Sequence, residues 1–329
     1  MVEHLKQLKG GSLSQTSIVN SDGELRVRKS ISAENNREYG LVRWHSQLKR
    51  LQRYNILVPD LFPKVLEVGV EDANYFFDIE YFEGSTDLKN YLLNYGPTQA
   101  QMISISSNLI SASSKLHSVL RLDTYPGSLA LYFQEECLHK IRDAGVNKLF
   151  KEYSEKPSIF LNGIEYPNLE SQLSWLKGKC NFLKIDKECL THGNLTLENI
   201  LIDKENLNLR FIDPYDENII DCEEADYSQI FQCSESFYGP LNDGAVTLDD
   251  SGIWTCQNDW EDLALFGNIF RKELFRSKPK LNQELTDFLH LTQFIRMLPF
   301  KVQANHVHKA ILFYALSCKI AQSLREKYD

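Results

Sequence analysis

A chain of 329 residues, 43% hydrophobic and 25% charged, is long enough for one large domain or for two lobes with a substantial core. The formal net charge of −9 argues against non-specific binding to DNA or to an anionic membrane as the main task. Seven scattered cysteines, none in a C-x-x-C pair, argue against a disulfide framework or a zinc site and for reduced thiols in a cytoplasmic protein.

The first residues, Met1 to Gln7, carry no apolar signal-peptide core, and no run reaches the about 18 apolar residues of a membrane span. Residues 10–29 read as loop and hairpin, with a turn at Ser21-Asp22-Gly23 followed by the alternating strand Leu25 to Lys29. Residues 34–53 change to helical spacing, with Leu41, Trp44, Leu48 and Leu51 on one face. Two further strands, Val65–Val70 and Tyr75–Phe82, flank a Glu-Asp-Ala-Asn turn. Helices are expected over 87–94 and 99–120. The region 121–190 mixes aromatics, charges and an Asn162-Gly163 turn without a legible order. A compact hairpin, Ile200–Ile202 and Leu207–Asp213, precedes a final region that is helical from 259 onward.

The chemistry concentrates at 190–214. His192, Asn194 and Asn199 have the spacing of a phosphoryl-transfer catalytic loop, except that the template's second residue is Asp. The hairpin that follows folds Asp213 back toward Asn199, and an amide oxygen with a carboxylate suits a hard cation such as Mg²⁺. These stretches resemble the H-G-D-x-x-x-x-N and I-D-P signatures of the aminoglycoside phosphotransferase-like superfamily of small-molecule kinases. Within it the chain is most similar to the phosphotransferase-like proteins of bacterial surface-polysaccharide loci. The resemblance continues in order through Val27-Arg28-Lys29 and Phe77 to Gly84. It runs on, more weakly, through Asn162-Gly163 with Tyr166 and Asn168, and through Asp221 to Ile230 with Ser234 and Tyr238.

The resemblance implies an α+β, bilobal protein-kinase-like fold. A small N-terminal lobe of sheet plus helix (1–83) meets a larger, mainly helical C-terminal lobe (84–329) at a hinge near 80–86. It implies ATP, or another nucleoside triphosphate, with Mg²⁺ as cofactors. The acceptor would be a hydroxyl of a small molecule, with a sugar or polysaccharide precursor the leading candidate; nucleic acid and membrane insertion are not expected. Lys29 would clamp the phosphates, held by Glu38 or by its alternate Glu34. Gly11 and Ser12 would bring backbone N–H groups toward phosphate. Glu80 and Phe82 would border the adenine, Asn199 and Asp213 would hold the metal, and Asn194 would orient the acceptor. His192 belongs to the catalytic loop as a hydrogen-bonding prop. Asp216, Glu217, Asp221 and Asp226 form an acidic run whose default is a solvated face, with Asp226 also a candidate to shape the loop after the metal site. Tyr132, Phe133, Arg142, Tyr238, Trp254 and Trp260 are candidates to line the acceptor cleft.

Two departures from the family pattern bear on activity: Asn194 replaces the catalytic Asp, and Gln229 replaces a Lys often found in the later D-x-A-K segment. An amide can orient a hydroxyl but cannot take its proton at neutral pH. General-base help is worth about 10²–10⁴ in rate. Three readings follow: a slow enzyme, a nucleotide-binding pseudokinase acting as scaffold or regulator, or an Asp-to-Asn change that traps a complex.

Overall fold

The computed structural model describes residues 2–8, 14–32, 39–71, 73–215, 218–255 and 260–329. Five strands, β1 (Val2–Leu8), β2 (Gln15–Ser21), β3 (Glu24–Ser32), β4 (Val65–Glu71) and β5 (Asn74–Glu80), form an antiparallel sheet in the order β1-β2-β3-β5-β4. The β2–β3 turn is the expected one. Asp22 and Gly23 take φ of 52° and 90°, the positive values that a two-residue hairpin of matching twist requires. Gly23 N–H also donates to Asn20 Oδ1 at 2.8 Å. Strand β1 has no counterpart in the sequence reading. Val2 to Leu8 lacks regular alternation, and its pairing shifts register between His4 and Lys6, so β2 rather than local pattern makes it a strand.

Helix α1 (Tyr39–Leu57) covers one face of the sheet through Trp44, Leu48 and Leu51, all buried, and Trp44 meets Phe77 with ring centroids 5.2 Å apart. The other face carries a buried cross-strand ion pair. Arg28 and Asp78 join Nε to Oδ1 at 2.8 Å and Nη2 to Oδ2 at 2.9 Å, with the guanidinium 3.8 Å above the Phe76 ring. Alternation on β3 therefore sends Arg28 to one face and Lys29 to the face shared with α1.

Beyond Gly84 come β6 (Ser85–Asp87), α2 (Leu88–Asn94) and α3 (Gln99–Ser118), the last two within their expected spans. Asp87 caps α2 through the Asn90 N–H, and Thr98 with Gln101 forms a capping box on α3. The region without legible order contains β7 (Arg121–Asp123), α4 (Ser128–Phe133), a π-helical stretch (Gln134–Leu138), α5 (His139–Ala144) and α6 (Lys148–Ser154). Then follow the hairpin β8 (Ser158–Leu161)–β9 (Ile164–Pro167), turning at Asn162-Gly163, α7 (Leu169–Phe182) and β10 (Lys187–Cys189), which pairs with β7.

The hairpin β11 (Ile200–Asp203)–β12 (Leu209–Phe211) adds to β6 in the order β12-β11-β6. Helices α8 (Glu223–Ser234) and α9 (Tyr238–Asp243) precede strands β13 (Val246–Asp249) and β14 (Gly252–Thr255). These extend the β8–β9 hairpin into a four-stranded sheet in which β14 runs parallel to β8. Four helices close the chain: α10 (Glu261–Ser277), α11 (Gln283–Arg296), α12 (Leu298–Gln303) and α13 (Val307–Tyr328). The chain is thus α+β, with an N-terminal sheet and a mainly helical remainder.

Two apolar clusters form the core. One joins α11 and α13 to α4, α7 and β8. The other runs without a break from Ile31, Trp44 and Phe77 through α2 and α3 to Ile200, Ile202, Leu209 and Phe211 of the β11–β12 hairpin, and on to α10. The sheet with α1 and the hairpin that carries the candidate site therefore share one core, so residues far apart in sequence are held in a fixed relation. Among the described residues, no helix is long and apolar enough to cross a membrane.

Candidate functional site

The loop from Leu190 to Asn199 is shaped first by a glycine. Gly193 sits at φ 76°, and a Cβ there would collide with the Tyr215 carbonyl oxygen and the Asn218 side chain. Its neighbours cross to the segment after β12: Tyr215 N–H donates to His192 O at 2.9 Å, and Ile212 N–H to Asn199 O at 2.9 Å. The second bond sets Asn199, just before β11, opposite Ile212, just after β12, which brings Asp213 beside it.

His192 is fully buried, and both ring nitrogens are occupied by protein. Nε2 donates to Ile212 O at 2.8 Å, and Nδ1 accepts from the Asn194 N–H at 3.2 Å. Burial drives its pKa down to about 4, despite the opposing pull of Asp226, so the ring is neutral near pH 7. That tautomer donates once and accepts once, as these partners require. His192 thus props the 190–199 loop against the Asp213 segment, with both ring nitrogens engaged by backbone.

The acidic residue closest to the loop is not on a solvated face. Asp226, on α8, is 1% exposed. It accepts the His192 N–H at 2.8 Å, the Gly193 N–H at 2.9 Å and His117 Nε2 at 2.9 Å. Burial raises its pKa, but these donors and the neighbouring imidazoles outweigh it, so the carboxyl is held below the usual range. One turn on, Gln229 accepts the Leu195 N–H and donates to Gly193 O at 3.2 Å. A sequence signal for Asp226 existed: Cys222, Ile230 and Cys233 share its helical stripe and are all buried. Asp221 is likewise drawn inward, accepting from Thr191 Oγ1. Asp216 and Glu217 lie outside the described residues.

Lys29 and Asp213, 184 positions apart, form a direct ion pair. The lysine is 6% exposed, while the Asp213 side chain is about two-fifths exposed at 38% and stands at φ 56°. This left-handed conformation is uncommon outside glycine and, at a site residue, sets the direction of the carboxylate. Asn199 Nδ2 donates to Asn194 O at 2.8 Å, which fixes the amide and leaves its oxygen as a candidate ligand. An amide oxygen and a part-exposed carboxylate fit a hard cation that completes its shell with phosphate and water oxygens, while the adjacent ammonium suits the phosphates and not the metal. Among the described residues, no group of three or more His, Cys, Asp or Glu forms a self-sufficient metal cage. Asn194 is partly exposed.

From α1, Arg50 and Tyr54 both donate to the carbonyl oxygen of Thr191, the residue before His192, Arg50 Nη2 at 2.7 Å. Sequence reasoning missed both, because each sits inside an amphipathic helix whose buried stripe appears purely apolar at 3.6-residue spacing.

At the expected hinge, Glu80 is bound to Lys64 twice: its carboxylate accepts the Lys64 N–H at 2.9 Å and its own N–H donates to Lys64 O at 3.1 Å. Phe82 lies under the Arg210 guanidinium, 5.6 Å from ring centroid to charge. Glu198, next to Asn199, pairs with Lys89 of α2, which also reaches Asp243 at 3.3 Å. Gly11, Ser12, Glu38 and Glu34 lie outside the described residues. Of the aromatic acceptor candidates, Tyr132 and Phe133 are core residues at 2% exposure, with Tyr132 Oη bonded to Thr292 Oγ1 at 2.7 Å. Tyr238 and Trp260 pack against the core, and the Trp254 indole N–H is taken up by Asp249 at 3.2 Å. Arg142 is exposed and 4.0 Å from Asp143.

Compared with known protein families and with curated proteins, the chain matches no family model and no curated protein.

Proposed function

We propose that the protein is an ATP- and Mg²⁺-dependent phosphotransferase of bilobal, protein-kinase-like architecture that phosphorylates a hydroxyl of a small molecule, with a sugar or polysaccharide precursor the leading acceptor. The observation that carries this reading is the Lys29–Asp213 ion pair, with Asn199 alongside. A strand lysine on one side of the site meets a carboxylate and an amide oxygen on the other. That set can serve a nucleotide triphosphate and its metal, and no packing need calls for all three. The strand order β1-β2-β3-β5-β4, with one helix between β3 and β4, supports the architecture.

On this reading Lys29 would exchange its pairing with Asp213 for the nucleotide phosphates, and Asn199 and Asp213 would be the residues that hold the cation. Bound Mg²⁺ would neutralise charge on the phosphates and hold them in line. The acceptor oxygen bonds to the γ-phosphorus as the bridge to the β-phosphate breaks, and ADP leaves with the electron pair. Asn194 accepts a hydrogen bond from the acceptor hydroxyl and orients it. It cannot keep the proton, which passes to a phosphoryl oxygen or to water. Positioning and charge neutralisation survive in such a site while general-base help is lost.

The identity of Asn194 favours a second reading, a nucleotide-binding pseudokinase with a scaffolding or regulatory role. Asn194→Asp separates the two. A gain in phosphoryl transfer of about 10²–10⁴ supports an impaired enzyme. No gain, with Mg-ATP binding intact, supports the scaffold.

A further inference from the structure

A cavity of about 320 Å³ lies between the C-terminal half of α1 and the β7–β10 ladder, behind the loop that leads to His192. Its α1 wall carries Lys49, Arg50 and Arg53, and its ladder wall carries Leu120 and Leu122. We propose that this cavity binds a small organic phosphate, and that its occupancy is transmitted to the loop bearing Asn194.

Lys49 and Arg53 are exposed, one helical turn apart, and neither has an ion-pair partner among the described residues. Two exposed cations at that spacing repel each other mildly, and an anion in the cavity they line would relieve that repulsion. Arg50 lies between them in sequence and is 5% exposed, which supplies a held guanidinium at the cavity's inner end. Three cations face two carboxylates, Glu188 and Asp221. Asp221 is already engaged by Thr191 Oγ1 and by Asn218 Nδ2 at 3.4 Å. In a chain of net charge −9 this is a local excess of positive charge. Leu120 and Leu122 are 39% and 53% exposed on the opposite wall, an apolar seat that inorganic phosphate would leave bare and a carbon skeleton would cover. The volume falls at the small end of the about 300–1,000 Å³ usual for ligand pockets.

Coupling follows from the hydrogen bonds of Arg50. Nη2 donates to Thr191 O at 2.7 Å and stands 4.0 Å from Asp221, while Nε donates to Tyr54 Oη at 2.7 Å. A phosphate drawn in by Lys49 and Arg53 competes for that guanidinium. Any shift in its grip on Thr191 passes directly to His192, Gly193 and Asn194.

The test is calorimetric titration of the full chain with phenyl phosphate, inorganic phosphate and phenol at constant ionic strength, in wild type and in a Lys49→Ala/Arg53→Ala variant. Hydrogen exchange at residues 190–195 is followed in parallel. The expected result is saturable binding of phenyl phosphate that is tighter than that of inorganic phosphate. The double variant weakens it at least tenfold with an unchanged melting temperature, and exchange at 190–195 changes on binding in wild type only. Equal binding by the variant, or no saturable binding by wild type, overturns the site. Binding that leaves exchange at 190–195 unchanged overturns the coupling. The proposal does not depend on phosphoryl transfer: the double variant should still bind Mg-ATP if the nucleotide site exists, so either claim can fail alone.

Discussion

Asp226 and Gly193 set the 190–199 loop by opposite means, one through acceptors and the other through space. Asp226→Ala would leave the His192 and Gly193 N–H groups buried without an acceptor, each at a cost of about 1–3 kcal/mol. Asp226→Asn keeps one acceptor oxygen and should lose less. Urea unfolding of the two variants checks that ranking, and equal losses would mean that the acceptor oxygen kept by Asn contributes nothing. Gly193→Ala adds a Cβ against the Tyr215 carbonyl at a positive φ, so it should lower the melting temperature and displace the loop. Asn194 is the residue at which activity and architecture part: its substitution leaves the hydrogen bonds of the loop in place, because they use its backbone and not its side chain.

Among the elements, α1 links the sheet to the loop. It buries Trp44 and Leu48 against the strands and extends Arg50 and Tyr54 to Thr191 O. Tyr54→Phe removes one of those donors and also leaves the buried Arg50 Nε–H without its acceptor, so it should cost about 1–3 kcal/mol, measured by denaturant unfolding. On the outer face of the sheet, Asp78→Ala would leave the buried Arg28 with Glu71 as its remaining carboxylate, and loss of the two charge-assisted bonds to Asp78 should cost about 1.5–3 kcal/mol. The amphipathic helices and hairpins were legible because their periodicity is local: the Asp22-Gly23 turn, the stripe of α1 and the β11–β12 hairpin each follow from a few adjacent residues. So was the grouping of His192, Asn194, Asn199 and Asp213. Strand β1, the parallel β8–β14 pairing and the order of 121–190 were not, because distant partners decide them. The inward turn of Asp221 was hidden for the same reason, whereas that of Asp226 was signalled by the apolar stripe it shares and masked by the acidic run around it. A run of acids reads as solvated until the backbone N–H groups that need an acceptor are in place.

At the scale of the whole molecule, two buried histidines shape the response to acid. Burial lowers the pKa of His192 to about 4 and that of His290 to about 3, against an ordinary value near 6.5. Between those values and 6.5 the unfolded chain binds protons that the native state does not, so stability falls as pH drops from 6.5 toward 4 and is indifferent to these groups above 6.5. Each contributes a slope of up to about 1.4 kcal/mol per pH unit. His290→Gln, which retains a polar partner for Ser236, should flatten the slope between pH 6.5 and 4.5 in urea-unfolding series. An unchanged slope would contradict the burial account.

The account rests on Lys29, Asn199 and Asp213 forming one nucleotide–metal site, and calorimetric titration with ATP, with and without Mg²⁺, tests it most directly on the full chain and on Asp213→Ala. It predicts binding that requires Mg²⁺ and is lost in the variant, titrated well below the variant's own melting temperature, which should fall because Lys29 loses its partner. Absence of binding in the unaltered chain, or equal binding by Asp213→Ala, would contradict it.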